Sequence, residues 1–260
     1  MPSLCGGGGS LLGRLVVVSN RVSVPGDGST RAGGLEVALR PALQKNGGVW
    51  LGWSGKVAAG NELETRSVRH KNIEYIITDL SKDDFEEYYS GFANRVLWPI
   101  LHYRLDLAEF ARRDLSGYFR VNDHFATELE KIIKSDDLLW AHDYHLIPIA
   151  DALRRRGHSN RIGFFLHVPL PPPEILTSLP NHEQLIPLLM QYDVGRLSDR
   201  RRRPEFCSLS NFRIRSDTEN PDVRVGWSPR HPEREWSGDA DRQFPGWYRA
   251  ADIRATSAAQ

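Results

Sequence analysis

Three short apolar runs along the chain are typical of strands that are buried on both faces. They are RLVVVSN at 14–20, LLWAHD at 138–143 and RIGFFLHV at 161–168. Polar residues or prolines bound each run, and β-branched and aromatic side chains are frequent within them. The pattern therefore predicts three buried strands.

Helical periodicity follows the first run. Residues 35–45 place apolar side chains on one face of a helix, and Gly47 stands just past the predicted end. Pro41 lies inside this stretch, so we expect it to kink the helix. The apolar face consists of Leu35, Ala38, Leu39, Ala42 and Leu43.

The clearest unit spans 138–168. Between its two strands, residues 146–153 have helical spacing, three arginines occupy the last turn, and Gly157 can supply a left-handed cap. A strand, helix and strand in succession predict a right-handed crossover with parallel strands. Another helix is predicted at 121–134, so the fold class is α/β with a parallel sheet.

Composition narrows the class of protein. The chain has 260 residues, of which 40% are hydrophobic, enough for a substantial core. A net charge of +1 argues against a nucleic-acid-binding protein. No apolar run has membrane-spanning length, and residues 1–13 read as a flexible leader rather than a signal peptide. Two distant cysteines, Cys5 and Cys207, predict neither a disulfide framework nor a metal cluster and fit a cytoplasmic protein.

The pattern changes after Val194. From 195 to 260 arginine is frequent, lysine is absent, and no apolar period of either kind is sustained. Such a segment has little apolar surface with which to offset the entropy of ordering. We therefore predict a folded domain at 14–194 and a disordered tail at 195–260.

Candidate chemistry lies at the ends of the predicted strands. The first strand ends at Arg21, the second at Asp143 and the third at His167. Ligands of open parallel sheets bind beyond the carboxyl ends of the strands, so these three side chains are expected to face one crevice. A guanidinium, a carboxylate and an imidazole suit a phosphorylated, hydroxyl-rich ligand.

Each candidate has a structural alternative. Arg21 could be a loop cation in a surface ion pair, Asp143 could cap the helix that follows, and His167 could be a hydrogen-bonded core histidine. His142 and His145 lack a third ligand at suitable spacing, so no metal is predicted.

Glycines and aromatic residues add further candidates for ligand contacts. Gly33 and Gly34 open the first helix and could bring backbone N–H groups to a phosphate, or simply form a tight turn. The spacing of a dinucleotide-binding or P-loop motif is absent, so neither cofactor class is predicted. The aromatics in polar, turn-rich surroundings could form platforms for a sugar ring or fill the core. They are Trp53, Tyr88, Tyr89 and Trp98.

Six ordered motifs identify a family. They are VVVSNR, AGGL, GWSG, EEYYSGFANRVLWPILHYR, WAHDYHLIP and RIGFFLHVPLPPPEIL. Together they resemble the N-terminal half of the trehalose-6-phosphate synthases, retaining glycosyltransferases that join glucose from UDP-glucose to glucose 6-phosphate. The resemblance covers about 14–194. It implies the Rossmann-like first domain of a two-domain GT-B enzyme without its second domain.

The resemblance also implies roles for individual residues. The positions that match the family's glucose 6-phosphate contacts are Arg21, Trp53, Tyr89, Trp98 and Asp143. Gly33 and Gly34 match the loop that closes on UDP-glucose, and His167 matches a histidine beside the transferred glucose. Asp143 and His167 are thereby the catalytic candidates. No metal, cofactor, nucleic acid or membrane is implied, and full-length members are expected to be homo-oligomers.

Part of the family's chemistry is missing from this sequence. Glucosyl transfer needs an oxocarbenium-like transition state and a stabilised diphosphate leaving group. The family supplies that charge from a second-domain motif reading roughly R-L-D-Y-x-K-G, which does not occur here. We therefore expect this chain alone to show no turnover. The alternative to a trehalose-6-phosphate synthase is a non-catalytic remnant that at most binds a sugar phosphate.

A frameshift hypothesis accounts for the change after Val194. After a Tyr-Asp pair the family continues with a hydrophobic residue and G-F-Q-T, whereas this chain reads GRLSD at 195–199. Back-translated and read one nucleotide forward, these codons permit Val-Gly-Phe-Gln-Thr. A one-nucleotide frameshift in a GC-rich gene would also explain arginine without lysine. A genuine extension is the alternative, and the nucleotide sequence decides between them.

Overall fold

Two sheets organise the part of the chain that the computed structural model describes, namely residues 13–25, 34–60, 63–198, 206–207, 212–216 and 223–227. The strands are β1 (Leu15–Arg21), β2 (Gly48–Val57), β3 (Thr65–His70), β4 (Ile73–Leu80), β5 (Leu138–His142), β6 (Arg161–Pro169), β7 (Val194–Ser198), β8 (Phe206–Cys207), β9 (Phe212–Ser216) and β10 (Val223–Trp227).

Helices connect and cover these strands. The α-helices are α1 (Gly34–Asn46), α2 (Lys82–Asp84), α3 (Trp98–Leu101), α4 (Arg112–Glu130), α5 (Ile149–Arg155), α6 (Pro173–Leu176) and α7 (His182–Leu185). A π-helix spans Phe85–Leu97, and 3₁₀ turns occupy Leu105–Leu107, Tyr144–Leu146 and Ile186–Gln191. Among the described residues, no helix is both long and apolar enough to cross a bilayer.

The larger sheet has the order β3-β4-β2-β1-β5-β6-β7-β8. Its strands run parallel from β4 to β7, whereas β3 and β8 lie antiparallel at the two edges. From β1 the chain builds outward first through β2 and later, on the opposite side, through β5. The strand order therefore reverses between β1 and β5, which is the point at which doubly wound sheets bind ligands.

The core lies on both faces of this sheet. Along β1, Val16 and Val18 pack into the cluster beneath α4, α5 and the π-helix, while Leu15 and Val17 pack into a second cluster with Leu39 of α1. Because alternate residues of a strand point to opposite faces, a strand covered on both sides must be apolar throughout. This explains the uninterrupted apolar runs in the sequence.

The predicted strand and helix units are confirmed. The three apolar runs form β1, β5 and β6, and β5 pairs in parallel with β6. Helix α1 contains Pro41 and ends before Gly47, whose φ of 74° is left-handed and whose N–H donates to the Leu43 carbonyl at 2.8 Å. Gly157 has a φ of 85° after α5, as its predicted capping role requires.

Other boundaries differ from the prediction. The helix predicted at 121–134 is α4, Arg112–Glu130, which begins earlier because Tyr118 and Gly117 continue its buried face. Strands β2, β3 and β4 were not predicted. β2 is interrupted by glycines, and β3 is an edge strand with partly exposed side chains, so neither shows a clear apolar run.

The aromatic residues expected in turn-rich surroundings lie instead in regular elements. Tyr88 and Tyr89 belong to the π-helix, Trp98 begins α3, and Trp53 lies in β2. The expectation of turn-rich surroundings was wrong, because polar neighbours in the sequence do not prevent a helix or strand from burying its other face. Gly91 is needed for packing: a Cβ there would lie 2.6 Å from the Asp114 carboxyl carbon.

The structure contains strands on both sides of the predicted domain limit at residue 194. Strand β7 begins at Val194 and pairs in parallel with β6, so the sheet continues beyond the predicted boundary. Strands β8, β9 and β10 also fall in the span predicted to be disordered. Residues 1–12 of the predicted leader lie outside the described residues.

Candidate functional site

Arg21, Asp143 and His167 stand at the carboxyl ends of three strands in the order β1, β5, β6. The crevice between β1 and β5 is where the strand order reverses. Asp143 and His167 are in direct contact, since the backbone N–H of His167 points to Oδ1 of Asp143 at 3.4 Å. The three residues thus lie along one edge of the sheet, and a crevice shared by all three stays a prediction.

Local backbone geometry directs Arg21 across the end of the sheet. The pairing of β1 with β2 shifts register between Val18 and Arg21, and such a bulge re-aims the side chains that follow it. The guanidinium carbon lies 5.9 Å from the ring centroid of Trp53. Arg21 is exposed and forms no ion pair with any described residue. The surface ion pair considered for Arg21 is therefore absent from the described part of the chain.

Gly55 provides the room that Arg21 occupies. Its φ is 87°, and a Cβ at this position would lie 2.5 Å from Nε of Arg21. Both the backbone conformation and the contact require glycine here. The GWSG motif contained this signal, although only its tryptophan was singled out from the sequence.

Aromatic rings line the space beside Arg21. Trp53 is 4% exposed and its Nε1 donates to the Lys56 carbonyl at 2.6 Å. The ring of Tyr89 lies 5.3 Å from Trp53 and 6.0 Å from the stacked ring of His145. These contacts form a continuous wall from the end of β2 to the residues that follow β5.

One hydrogen bond at this end of the sheet was not predicted from the sequence. The hydroxyl of Tyr88, which is buried in the core, donates to Oδ1 of Asn20 at 2.8 Å. This bond ties the π-helix to the end of β1. No local pattern distinguishes Tyr88 from Tyr89, because only the packing of the helix decides which of the two turns inward.

Asp143 has an unusual backbone conformation. Its φ is 76° and its ψ is 165°, a region that essentially only glycine occupies without strain. The side chain accepts from the Tyr144 N–H at 3.0 Å, and the Asp143 N–H donates to the Phe165 carbonyl at 2.7 Å. Asp143 does cap the turn that follows it, as one alternative proposed, but a cap alone does not require this strained geometry.

Burial raises the pKa of Asp143 from its ordinary value of 3.8 to about 6. The N–H groups of Tyr144 and His167 and the charge of His102 oppose this shift by stabilising the carboxylate. At neutral pH the group is ionised, so it can accept hydrogen bonds from hydroxyl groups of a ligand.

This shift predicts a pH dependence of stability. A carboxyl with a raised pKa stabilises the fold fully below pH 3.8, and that contribution is lost as the pH rises through about 6. We compare the free energy of unfolding of Asp143→Asn with that of the unmodified chain. We expect this difference to rise in favour of the Asn variant by about 2 kcal/mol as the pH rises from 4 to 7, after allowance for partial exposure. Urea unfolding of both proteins at several pH values measures it. The histidines are common to both and cancel, and a pH-independent difference would contradict the assignment.

Three histidines next to Asp143 are neutral at physiological pH. Burial lowers the pKa of His145 to about 3 and that of His167 to about 4, and it holds the pKa of His142 well below 6.5. These rings therefore act as hydrogen-bond donors and acceptors rather than as cations. Among the described residues, no group of three His, Cys, Asp or Glu side chains could hold a metal ion.

Trp98, Gly33 and Gly34 are the remaining candidates. Trp98 is 40% exposed and its ring stacks on His102 at 4.3 Å, and the charge of His102 acts on Asp143. The structure thus places the ring of Trp98 beside His102. Gly34 is the first residue of α1, whereas Gly33 lies outside the described residues.

An apolar cavity elsewhere is not part of this site. It measures about 40 Å³ and lies beneath α3, α6 and α7, lined by side chains such as Ile100, Phe164 and Leu185. It has no polar lining and could not satisfy the hydroxyls of a sugar. The strand ends, in contrast, carry an exposed cation, a carboxylate and aromatic rings, and these groups suit an anionic, hydroxyl-rich ligand.

Comparison with known proteins identifies a matching family model and similar sequences. The family model described as Glycosyltransferase family 20 matches residues 14–226, beyond the predicted end of the family segment at residue 194. A trehalose-6-phosphate synthase from Sinorhizobium fredii is 54% identical over 186 residues, which make up 70% of this chain and 40% of that protein.

Solved structures show that the similarity includes the fold as well as the sequence. The Burkholderia xenovorans alpha,alpha-trehalose-phosphate synthase (UDP-forming), in complex with glucose-6-phosphate, is 42% identical with a TM-score of 0.66, covering 70% of this chain and 40% of that one. An E. coli structure named as trehalose-6-phosphate bound with UDP-2-fluoro glucose is 42% identical with a TM-score of 0.68, covering 79% and 45%. The chain thus spans less than half the length of these proteins.

Proposed function

The chain belongs to glycosyltransferase family 20, and from this membership we propose that it forms the acceptor side of a glucosyl transfer from UDP-glucose to glucose 6-phosphate. The product of the complete reaction would be trehalose 6-phosphate with release of UDP. The observation that supports this proposal most directly is the placement of Arg21, Asp143 and His167 at the ends of three strands beside the switch point.

Arg21, Asp143 and three aromatic residues form the proposed binding site for glucose 6-phosphate. Arg21 is exposed without an ion-pair partner among the described residues, so its guanidinium is available to the phosphate. The ionised carboxylate of Asp143 accepts from sugar hydroxyls, while Trp53, Tyr89 and Trp98 provide apolar faces for the ring. Ligand and site are complementary in charge and in polarity.

The donor glucose would lie on the other side of Asp143. We place His167 beside the transferred glucose and Gly33 and Gly34 beside UDP-glucose. In the transfer, a bond forms between the acceptor hydroxyl oxygen and the anomeric carbon, and the bond from that carbon to the UDP oxygen breaks with net retention. The hydroxyl proton passes to a phosphate oxygen of the departing UDP. Fixed positive charge must stabilise the departing diphosphate, and the family's motif for this purpose does not occur in these 260 residues.

Location and assembly follow from the substrates, the cysteine content and the family. Both substrates are phosphorylated metabolites, and the sequence has only two distant cysteines, so we propose a cytoplasmic protein. The proposal requires no nucleic acid, metal or cofactor. A homo-oligomer remains a prediction taken from the family.

Binding of glucose 6-phosphate to the 260-residue chain tests the proposal. Isothermal titration calorimetry at pH 7.5 is expected to show saturable binding. Arg21→Gln should weaken it by about 10-fold or more, because charge-assisted bonds to the phosphate are lost. Arg161→Gln is the matched control, since Arg161 is also exposed but stands at the opposite, amino-terminal end of β6.

Equal effects of the two substitutions would contradict the proposal, as would tighter binding of glucose than of glucose 6-phosphate. The alternative, a non-catalytic remnant, predicts the same binding without chemistry. UDP release that requires glucose 6-phosphate separates the two. Release by this chain favours an enzyme, and binding without release favours a remnant.

A further inference from the structure

A pair of histidines links the core to the proposed donor site. Nδ1 of His142 lies 3.1 Å from Nε2 of His167, and the two rings are 28° apart in orientation with centroids 5.4 Å apart. His142 is 0% exposed, whereas His167 is partly exposed at the crevice. A hydrogen bond at this distance requires a proton on one of the two facing nitrogens and not on the other.

Both rings are neutral, because burial disfavours a charge on either of them, and at His142 the imidazole of His167 adds to this effect. Each ring therefore carries one proton, and the pair has two possible arrangements. Either His142 donates from Nδ1 to Nε2 of His167, or His167 donates from Nε2 to Nδ1 of His142. The position of the shared proton fixes the tautomer of both rings.

The far nitrogen of His142 distinguishes these arrangements. Nε2 of His142 is buried and has no hydrogen-bond partner among the described residues. If His167 were the donor, His142 would carry a proton on this nitrogen, and a buried N–H without an acceptor is rarer in proteins than an unsatisfied acceptor. Donation from Nδ1 of His142 avoids that cost.

Asp143 leaves the other ring nitrogen of His167 unengaged. Oδ1 of Asp143 accepts from the backbone N–H of His167 at 3.4 Å, and this contact does not involve the ring. No described residue hydrogen-bonds to Nδ1 of His167.

We infer that His142 is a positioning residue that donates from Nδ1 to Nε2 of His167 and thereby holds His167 with its proton on Nδ1. His167 then presents an N–H donor to the crevice. This inference rests on the proposed function, in which that donor points to a hydroxyl oxygen of the transferred glucose. The tautomer itself is a property of the chain without ligand.

Histidine-labelled ¹⁵N NMR of the 260-residue chain at pH 7.5 tests the inference. Long-range ¹H–¹⁵N correlations distinguish the protonated from the bare nitrogen of each ring. We expect His142 and His167 both to have Nδ1 protonated, by at least about tenfold over the alternative. An unconstrained imidazole prefers Nε2–H, so this result would show the effect of the pair. Nε2 protonation of His167 in the unmodified chain would overturn the inference.

Two substitutions at position 142 make the test specific. Asn keeps an N–H donor near the position of Nδ1, so His142→Asn should leave the His167 tautomer unchanged. His142→Phe keeps a ring without a donor, so the His167 proton should move to Nε2. If the Phe variant does not fold, the spectra of the unmodified chain and the Asn variant still decide.

Binding measurements separate the two proposals. A chain with the expected tautomers that fails to bind glucose 6-phosphate refutes the proposed function and leaves the role of His142 intact. Binding with the opposite tautomers refutes only the role of His142. A purely structural role for His142 would change stability in the Phe variant without moving the His167 proton.

Discussion

Replacing Asp143 with glycine is expected to weaken glucose 6-phosphate binding by about 10- to 100-fold while leaving the fold at least as stable as before. The binding loss follows from removing the carboxylate at the end of β5, which we propose accepts from sugar hydroxyls. Each hydrogen bond to a charged group contributes roughly 1.5–3 kcal/mol. Calorimetry measures the affinity, and urea unfolding measures the stability.

The stability prediction follows from the backbone. At φ 76° and ψ 165° a non-glycine residue stores about 1–3 kcal/mol of strain, and glycine releases it. At pH 7 the substitution also removes a carboxylate whose pKa is raised by burial. Against these gains stand the lost cap to the Tyr144 N–H and the greater entropy of glycine in the unfolded chain. We expect a net gain of about 1 kcal/mol.

Two control variants separate strain from binding. Lys71 also has a positive φ, 55°, but lies in the turn between β3 and β4, so Lys71→Gly should relieve strain without changing affinity. Asp143→Asn keeps the strained backbone and removes only the charge, so it should weaken binding without relieving the backbone strain. A loss of more than about 2 kcal/mol in Asp143→Gly would show that the conformation is not strained.

Asp137→Ala is expected to destabilise the fold by about 3 kcal/mol, the largest stability loss we predict for a polar side chain. Asp137 is 2% exposed and lies at the amino-terminal end of β5, opposite the proposed site. Its carboxylate accepts from Nη2 of Arg14 at 2.8 Å and from the Lys134 N–H at 2.9 Å. These bonds join the start of β1 to the segment that leads into β5.

The magnitude reflects what the substitution leaves behind. Nη2 of Arg14 would keep its bond to the Ile132 carbonyl at 2.7 Å, but the guanidinium would lose its counter-charge while still largely shielded from water. Breaking a fully buried pair costs about 3–5 kcal/mol, and the 30% exposure of Arg14 places this pair at the lower end. Urea or thermal unfolding measures the loss.

The adjacent residue provides the control. Asp136 is exposed, so Asp136→Ala should change stability by no more than about 0.5 kcal/mol. Asp137→Asn should fall between the two, because an amide oxygen can still accept from the Lys134 N–H. A loss in Asp136→Ala equal to that in Asp137→Ala would mean that net charge, and not the buried contacts, explains the effect.

Much of the fold could be predicted from local sequence. The runs that became β1, β5 and β6 are apolar at every position because helices cover both faces of the sheet, and this requirement is visible residue by residue. The placement of Arg21, Asp143 and His167 followed from the same runs, since the ends of parallel strands share one edge. Strands β2 and β4 were not predicted, because glycines and isolated polar residues interrupt the apolar pattern that the neighbouring strands retain.

Only the tertiary structure decided how these strand ends are arranged and what they contact. The order that puts β1 beside β5, the turn of Tyr88 into the core, and the contact of His142 with His167 depend on pairings between distant segments. The positive φ of Asp143 likewise has no local signature, because aspartate does not require that conformation. Local sequence specifies which faces must be buried, whereas backbone strain and side-chain contacts at the site arise only when the sheet is assembled.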